Sequence, residues 1–117
     1  MKREEEKLVS NDLLSRIELK ATTKVLKEEA GEISVIELDS SLIDKIKDLN
    51  IRPILRSKLK DMTSEEANTF NQMLHLEAED KLSDEKVKEW LILNHFDYYN
   101  LIPLGLAVRA SENFYNN

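Results

Sequence analysis

The chain has 117 residues, of which 41% are hydrophobic and 34% charged, with a formal net charge of −6; that is enough apolar material for one core and too little for two. It contains no cysteine, which excludes a disulfide framework, a thiolate nucleophile and cysteine-ligated zinc or iron–sulfur sites. Two glycines and two prolines are too few for the tight turns of an all-β architecture. The expectation is therefore mainly α: a compact bundle of five or six short helices in one domain over residues 1–117, with residues 1–7 and 111–117 frayed.

The first residues, Met1-Lys2-Arg3-Glu4-Glu5-Glu6, lack the apolar stretch of a secretory leader, and the longest apolar run, residues 101–108, is too short to cross a bilayer. A cytoplasmic protein with no membrane partner is expected. From Asn11 or Asp12 as a cap, Leu13, Leu14, Ile17, Ala21, Val25 and Leu26 recur at three- and four-residue intervals toward Gly31, the pattern of a helix and its stop. The same stretch alternates as Ile17, Leu19, Ala21, Thr23 and Val25, and Glu29-Ala30-Gly31 can turn it into Ile33-Ser34-Val35-Ile36. A β-hairpin within residues 17–38 is thus the alternative.

Ser40 or Ser41 is placed to cap a short helix carrying Leu42, Ile43, Ile46 and Leu49, with Asn50 at its end. Pro53 suits the first turn of a further helix presenting Ile54, Leu55, Leu59 and Met62. Thr63 followed by Glu66 is a capping box, and Ala67, Phe70, Met73, Leu74 and Ala78 continue one face behind it. Ser83-Asp84-Glu85 opens another helix, carrying Val87, Trp90 and Leu91, with acids opposing the dipole. After an irregular corner at residues 96–100, a last helix is expected from Ile102-Pro103 through Ala110 toward Phe114, apolar on nearly every side and therefore central.

No nucleophile motif, glycine-rich phosphate loop or dinucleotide fingerprint occurs, and the carboxylates fall in caps or solvated runs rather than in pairs suited to acid–base work. His75 with Glu79 one turn later is the best local metal pair, and such pairs arise by chance in acidic helices. No catalytic residue, metal or cofactor is expected, and the chain reads as a non-enzyme. Charge is segregated: residues 43–60 hold six cations against two acids, while residues 61–89 hold nine acids against three lysines.

Two functions follow. The leading one is a non-enzymatic module that binds another protein, as adaptor, chaperone-like factor or inhibitor, with its acidic half steering it to a basic partner. Trp90, Phe96, Tyr98, Tyr99, Leu101, Leu104 and Val108 are the candidate interface, because flat amphipathic aromatics beside a dense apolar run resemble interface anchors. The alternative is a small DNA-associated transcriptional regulator, with the turn near Asn50 joining two helices and Lys45, Arg52, Arg56, Lys58 and Lys60 meeting nucleic acid.

Overall fold

The computed structural model describes residues 2–115, in the order α1 (Arg3–Glu18), β1 (Lys24–Glu29), β2 (Glu32–Glu37), a 3-10 helix (Ser40–Lys45), β3 (Ile51–Leu55), α2 (Ser64–Ala78), α3 (Asp84–Leu93) and β4 (Val108–Arg109). Among the described residues the strands form one mixed sheet in the order β2-β1-β3-β4. Both neighbours of β1 run antiparallel to it, while β4 runs parallel to β3. The fold is therefore α/β, and the expected all-helical bundle is corrected at four places. Met1, Asn116 and Asn117, parts of the expected frayed ends, lie outside the described residues.

Residues 3–18 are helical, so α1 begins well before the cap foreseen at Asn11 or Asp12. Glu4, Glu5 and Glu6 oppose the dipole in its first turn, and the Glu5 carboxylate accepts from the Lys2 backbone N at 2.9 Å. Beyond it the hairpin reading, rather than the continuous helix, describes the chain. Ala30 and Gly31 both adopt positive φ (52° and 82°), the requirement of the two-residue type I′ turn whose twist matches that of the flanking strands. Residues 51–55 are a strand and not a helix: the β-branched Ile51 and Ile54 face opposite sides of a sheet. Pro53 is accommodated in a five-residue strand whose ladder to β1 ends at that residue. The last expected helix is absent too; residues 102–107 form turns leading to β4. The short helix after Ser40 is present in 3-10 form, capped by Asp39, whose carboxylate accepts from Ser41 N at 2.7 Å.

α2 and α3 start where their caps place them: Thr63 Oγ1 accepts from Glu66 N at 3.1 Å, and Ser83 Oγ from Lys86 N at 3.3 Å. All three α-helices stop without glycine. Lys20, Asp80 and His95 take the left-handed conformation just past each end (φ 58°, 58° and 67°). The amide after each reaches back to a carbonyl of the last turn, as in Ala21 N to Arg16 O, Lys81 N to Leu76 O and Phe96 N to Leu91 O.

Two cores result. The main one lies between the inner face of the sheet and a cover made of α1, the 3-10 helix and residues 101–107, and it joins Val9, Leu13, Val25, Leu42, Ile46, Ile51, Leu55 and Leu101. A second, smaller one sits between α2 and α3 around Phe70, Val87, Leu91 and Phe96. The molecule is elongated, 48 × 28 × 24 Å. Arg16 joins the cores: fully buried, its guanidinium grips Asp12 through Nε and one terminal nitrogen (2.9 and 3.0 Å) and donates to the carbonyls of Ile92 and Phe96 (3.2 and 2.8 Å).

Removing one partner of such a pair strands a buried charge, whereas removing both need not. Arg16→Met is expected to lower unfolding free energy by about 3–5 kcal/mol in urea titrations, and Asp12→Leu with Arg16→Met to recover most of it. Asp80→Gly, at an exposed helix end, is expected to stabilise by roughly 0.5–1 kcal/mol in the same assay by relieving the left-handed strain.

Candidate protein-binding face

Strand residues alternate between faces, so the register decides what each side of the sheet carries. Val25 opposes Ile36 on one side and Pro53 on the other, and with Ile51 these residues form the inner face. The outer face carries the remaining residues: Val35, Leu26 and Arg52 form one row across β2, β1 and β3, and Glu28 opposes Ile33 in the next. Leu26, Ile33 and Val35 belong to neither core. Ile33 is 65% exposed and Val35 50%, and β2 is an edge strand with no neighbour on its far side among the described residues.

A water-facing sheet side ordinarily carries polar side chains, and an edge strand is ordinarily blunted by lysine, proline or a bulge. The Glu32–Glu37 strand has none of these, only an acid at each end. Of the other charges on the outer face, Lys24 Nζ lies 3.4 Å from Glu37 Oε1, and Glu28 Oε2 accepts from the neutral Asn50 Nδ2 at 3.2 Å. Among the described residues, Arg52, half-buried in the middle row, makes no ion pair, and its buried Nε–H finds no acceptor.

The interface foreseen around residues 90–108 is divided by the fold. Phe96 and Leu101 are fully buried, one in each core. Trp90 lies between Phe70 and Phe96, with ring centroids at 6.1 and 5.9 Å. Tyr98 and Tyr99 meet edge to face at 4.9 Å, and the Tyr99 hydroxyl is 3.2 Å from Ser15 Oγ. Leu104 is 57% exposed in a turn, and Val108 pairs with Ile54 in the sheet. Phe96 and Leu101 are thus interior, Trp90, Tyr98 and Tyr99 are half-buried, and Leu104 is exposed.

The basic segment runs from the end of the 3-10 helix through β3 into the turn after it, so the second helix of the pair that the nucleic-acid reading rests on is not formed. Arg56 turns inward, with its guanidinium 4.3 Å above the Phe96 ring and forked onto Glu66 at 2.6 and 2.9 Å. Lys45 and Lys60 are exposed, Lys58 and Arg52 half-buried, and they lie on the 3-10 helix, the turn after β3 and β3 itself.

A groove of about 720 Å³ lies between the residue 60–63 turn and residues 109–115. Three of its ionic groups are occupied: Arg109 grips Asp61 at 2.9 and 2.6 Å, and Arg56 holds Glu66. Hydrogen bonds from these guanidinium groups hold both carboxyls below their usual range. No histidine lines the groove beside Ser111 or Thr63, so it offers no activated nucleophile. His75 pairs with Glu79 on an exposed helix end at 3.1 Å, and no group of three or more metal-binding side chains occurs among the described residues. No helix among them is long and apolar enough to cross a membrane.

His95 lies partly buried beside the end of the sheet. Its Nδ1 is 3.0 Å from the Thr23 hydroxyl and its ring stacks on Tyr115 at 3.9 Å. The Tyr115 hydroxyl bridges the end of the sheet, accepting from Lys24 N at 2.9 Å and donating to Ile54 O. Burial, aided by the charges of Arg16 and Arg56, pushes the imidazole down to about 4, and burial raises the Tyr115 phenol to about 12. These are the signs of a packed aromatic pair, with no carboxylate placed to use the ring as a base.

Comparison with known protein families, curated proteins and solved structures finds no match to this chain. Sequence reasoning missed Leu26, Ile33, Val35 and Arg52 as a group. The available signal was the β-branched run Ile33-Ser34-Val35-Ile36 after Ala30-Gly31, but only the register shows which of its residues the cover leaves bare.

Because the folded pKa of His95 lies below its unfolded value, the unfolded chain binds the extra proton between about pH 6.5 and 4. Stability from this site is complete above pH 6.5 and declines as pH falls toward 4. Thermal unfolding across pH 7.5 to 5 should show this slope in the natural chain and a flatter one in His95→Asn, a residue that tolerates the left-handed backbone.

Proposed function

We propose that the chain is a non-enzymatic protein-binding module of the cytoplasm, an adaptor or inhibitor of a larger partner, that docks through the outer face of its sheet. One observation carries this reading: Ile33 and Val35 stand exposed beside Leu26 on a sheet face that belongs to neither core, at an edge lacking the usual protections. The net charge of −6 supports it secondarily, since an acidic body is steered toward partners of opposite overall sign. Against an enzyme stand the occupied ion pairs of the groove and the two histidines: His75 pairs with Glu79 on an exposed helix end, and the Thr23 hydroxyl that His95 meets is itself buried.

The test is a nuclease-treated pull-down with the tagged protein from source-cell lysate, read by quantitative mass spectrometry. A stoichiometric partner should be lost with Ile33→Asp/Val35→Asp and kept with Leu59→Asp, whose site is equally exposed (61%) on the turn after β3. The double variant should unfold within about 0.5 kcal/mol of the natural chain per substitution, as surface changes do. A partner indifferent to the double variant, or recovery of DNA alone without nuclease, would overturn the reading.

A further inference from the structure

The hydrogen-bond pattern of the β1–β2 hairpin fixes which backbone groups its free edge presents. A two-residue turn is closed by a pair that exchanges both amide–carbonyl bonds, here Glu29 and Glu32. Bonded pairs then alternate with non-bonded ones along the ladder, through Lys27–Ser34 and Val25–Ile36. The Glu28 amide has the same phase, since it turns away from β2 and donates to Leu49 O at 3.1 Å. Ile33, Val35 and Glu37 therefore aim their N–H and C=O groups away from β1, and no strand takes them up among the described residues.

Such a row, in which alternate residues offer a donor and an acceptor about every 7 Å, is complementary to an extended chain. A helix has spent its own backbone groups internally. The side chains say what that extended chain carries. Ile33 and Val35, exposed on the outer side, favour β-branched or aromatic residues directly opposite them. Glu32 and Glu37 close the two ends of the strand, both exposed. Lys24 and Lys27 pair with Glu37 and Glu29, each at 3.4 Å, which leaves Glu28 and Glu32 without a cation among the described residues. The hairpin is thus acidic in excess. A second copy of this chain would bring the same acidic edge and a like charge of −6, whereas a strand with lysine or arginine at its ends matches it.

Building on the docking function above, we propose that the free edge of β2 takes up one extended segment of a separate partner protein as an antiparallel fifth strand, with β-branched or aromatic side chains opposite Ile33 and Val35 and a basic residue opposite Glu32 and Glu37.

Three measurements test this. In the isolated protein, the amides of Ile33, Val35 and Glu37 should exchange with deuterium at least about tenfold faster than those of Ser34 and Ile36. Equal protection along the strand would show an edge already covered and overturn the proposal. In NMR titrations the probe is the capped peptide Lys-Thr-Val-Thr-Val-Lys, compared with a twin carrying glutamate at both ends and with one whose valines are N-methylated. The lysine peptide should slow exchange at Ile33, Val35 and Glu37 and bind at least about fivefold tighter than either comparison peptide. Glu32→Lys/Glu37→Lys, changed only at exposed positions, should reverse the preference between the lysine and glutamate peptides. No binding, equal binding, an unchanged preference in that variant, or shifts confined to other surfaces would overturn the proposal. In the pull-down, Val35→Pro removes one outward N–H, a change an edge strand tolerates, and should lose the partner that Ile33→Asp/Val35→Asp also loses. A partner lost with the aspartate variant but kept with Val35→Pro would leave the docking face standing and refute the added strand. A dimer by light scattering that the lysine peptide dissociates would seat a second copy at the edge and likewise refute the separate partner.

Discussion

The fold turns on one buried cation. Arg16 has five N–H donors, and four hydrogen bonds from its guanidinium tie together Asp12 on α1 and the backbone carbonyls at the end of α3. Those carbonyls also accept from the amides of His95 and Tyr98, at 3.0 Å each, so the arginine takes up their second lone pairs. In doing so it fixes the α2–α3 pair against the sheet. The carboxylate of Asp12 makes the burial tolerable, since a lone guanidinium in that position would cost several kcal/mol.

Around this joint the chain makes its corners with polar side chains instead of glycine. The carboxylate of Asp97 is buried and accepts from the amides of Leu101 and Ile102 at 2.8 and 2.9 Å, turning the chain from the second core into the first. Arg56 bonds to Asp61 O and Asn94 O as well as to Glu66, which holds the start of α2 beside the end of α3. The consequence for function is one of coverage. α1, the 3-10 helix and residues 101–107 serve the inner face of the sheet, and α2 and α3 pack on each other around their own core. The outer side of the β1–β2 hairpin is left without a helix.

How much of this was readable in the residues depends on the range of the interaction that decides each element. Caps act within four residues, and the starts of α2 and α3 stand where Thr63 and Ser83 announce them. The type I′ turn at Ala30-Gly31 is also local, and it overrides a three-to-four periodicity through Val25 and Leu26 that reads as a helix. The helix ends at Lys20, Asp80 and His95 gave no glycine to read. The segment at Ile54 and Leu55 was mistaken for a helix because a short apolar run looks alike in either state, and its strand form depends on β1 and β4, which are distant in sequence. The candidate site was almost illegible for the same reason. Ile33 and Val35 look like any β-branched pair, and Arg52 looks like one member of a basic run, until the register sets them on one face.

The sequence by itself determined a single small acidic chain without cysteine chemistry, the capped starts of α2 and α3, and a turn able to make a hairpin, because composition and capping need no distant partner. Only the tertiary structure decided that four strands join in one sheet, that Arg56 is spent on Glu66 while Arg52 makes no ion pair among the described residues, and that Phe96 lies in the interior with Trp90 stacked on it. Each of these depends on which residues far apart in the chain come within a hydrogen bond of one another, and strand register and burial settle that only once the whole chain has packed.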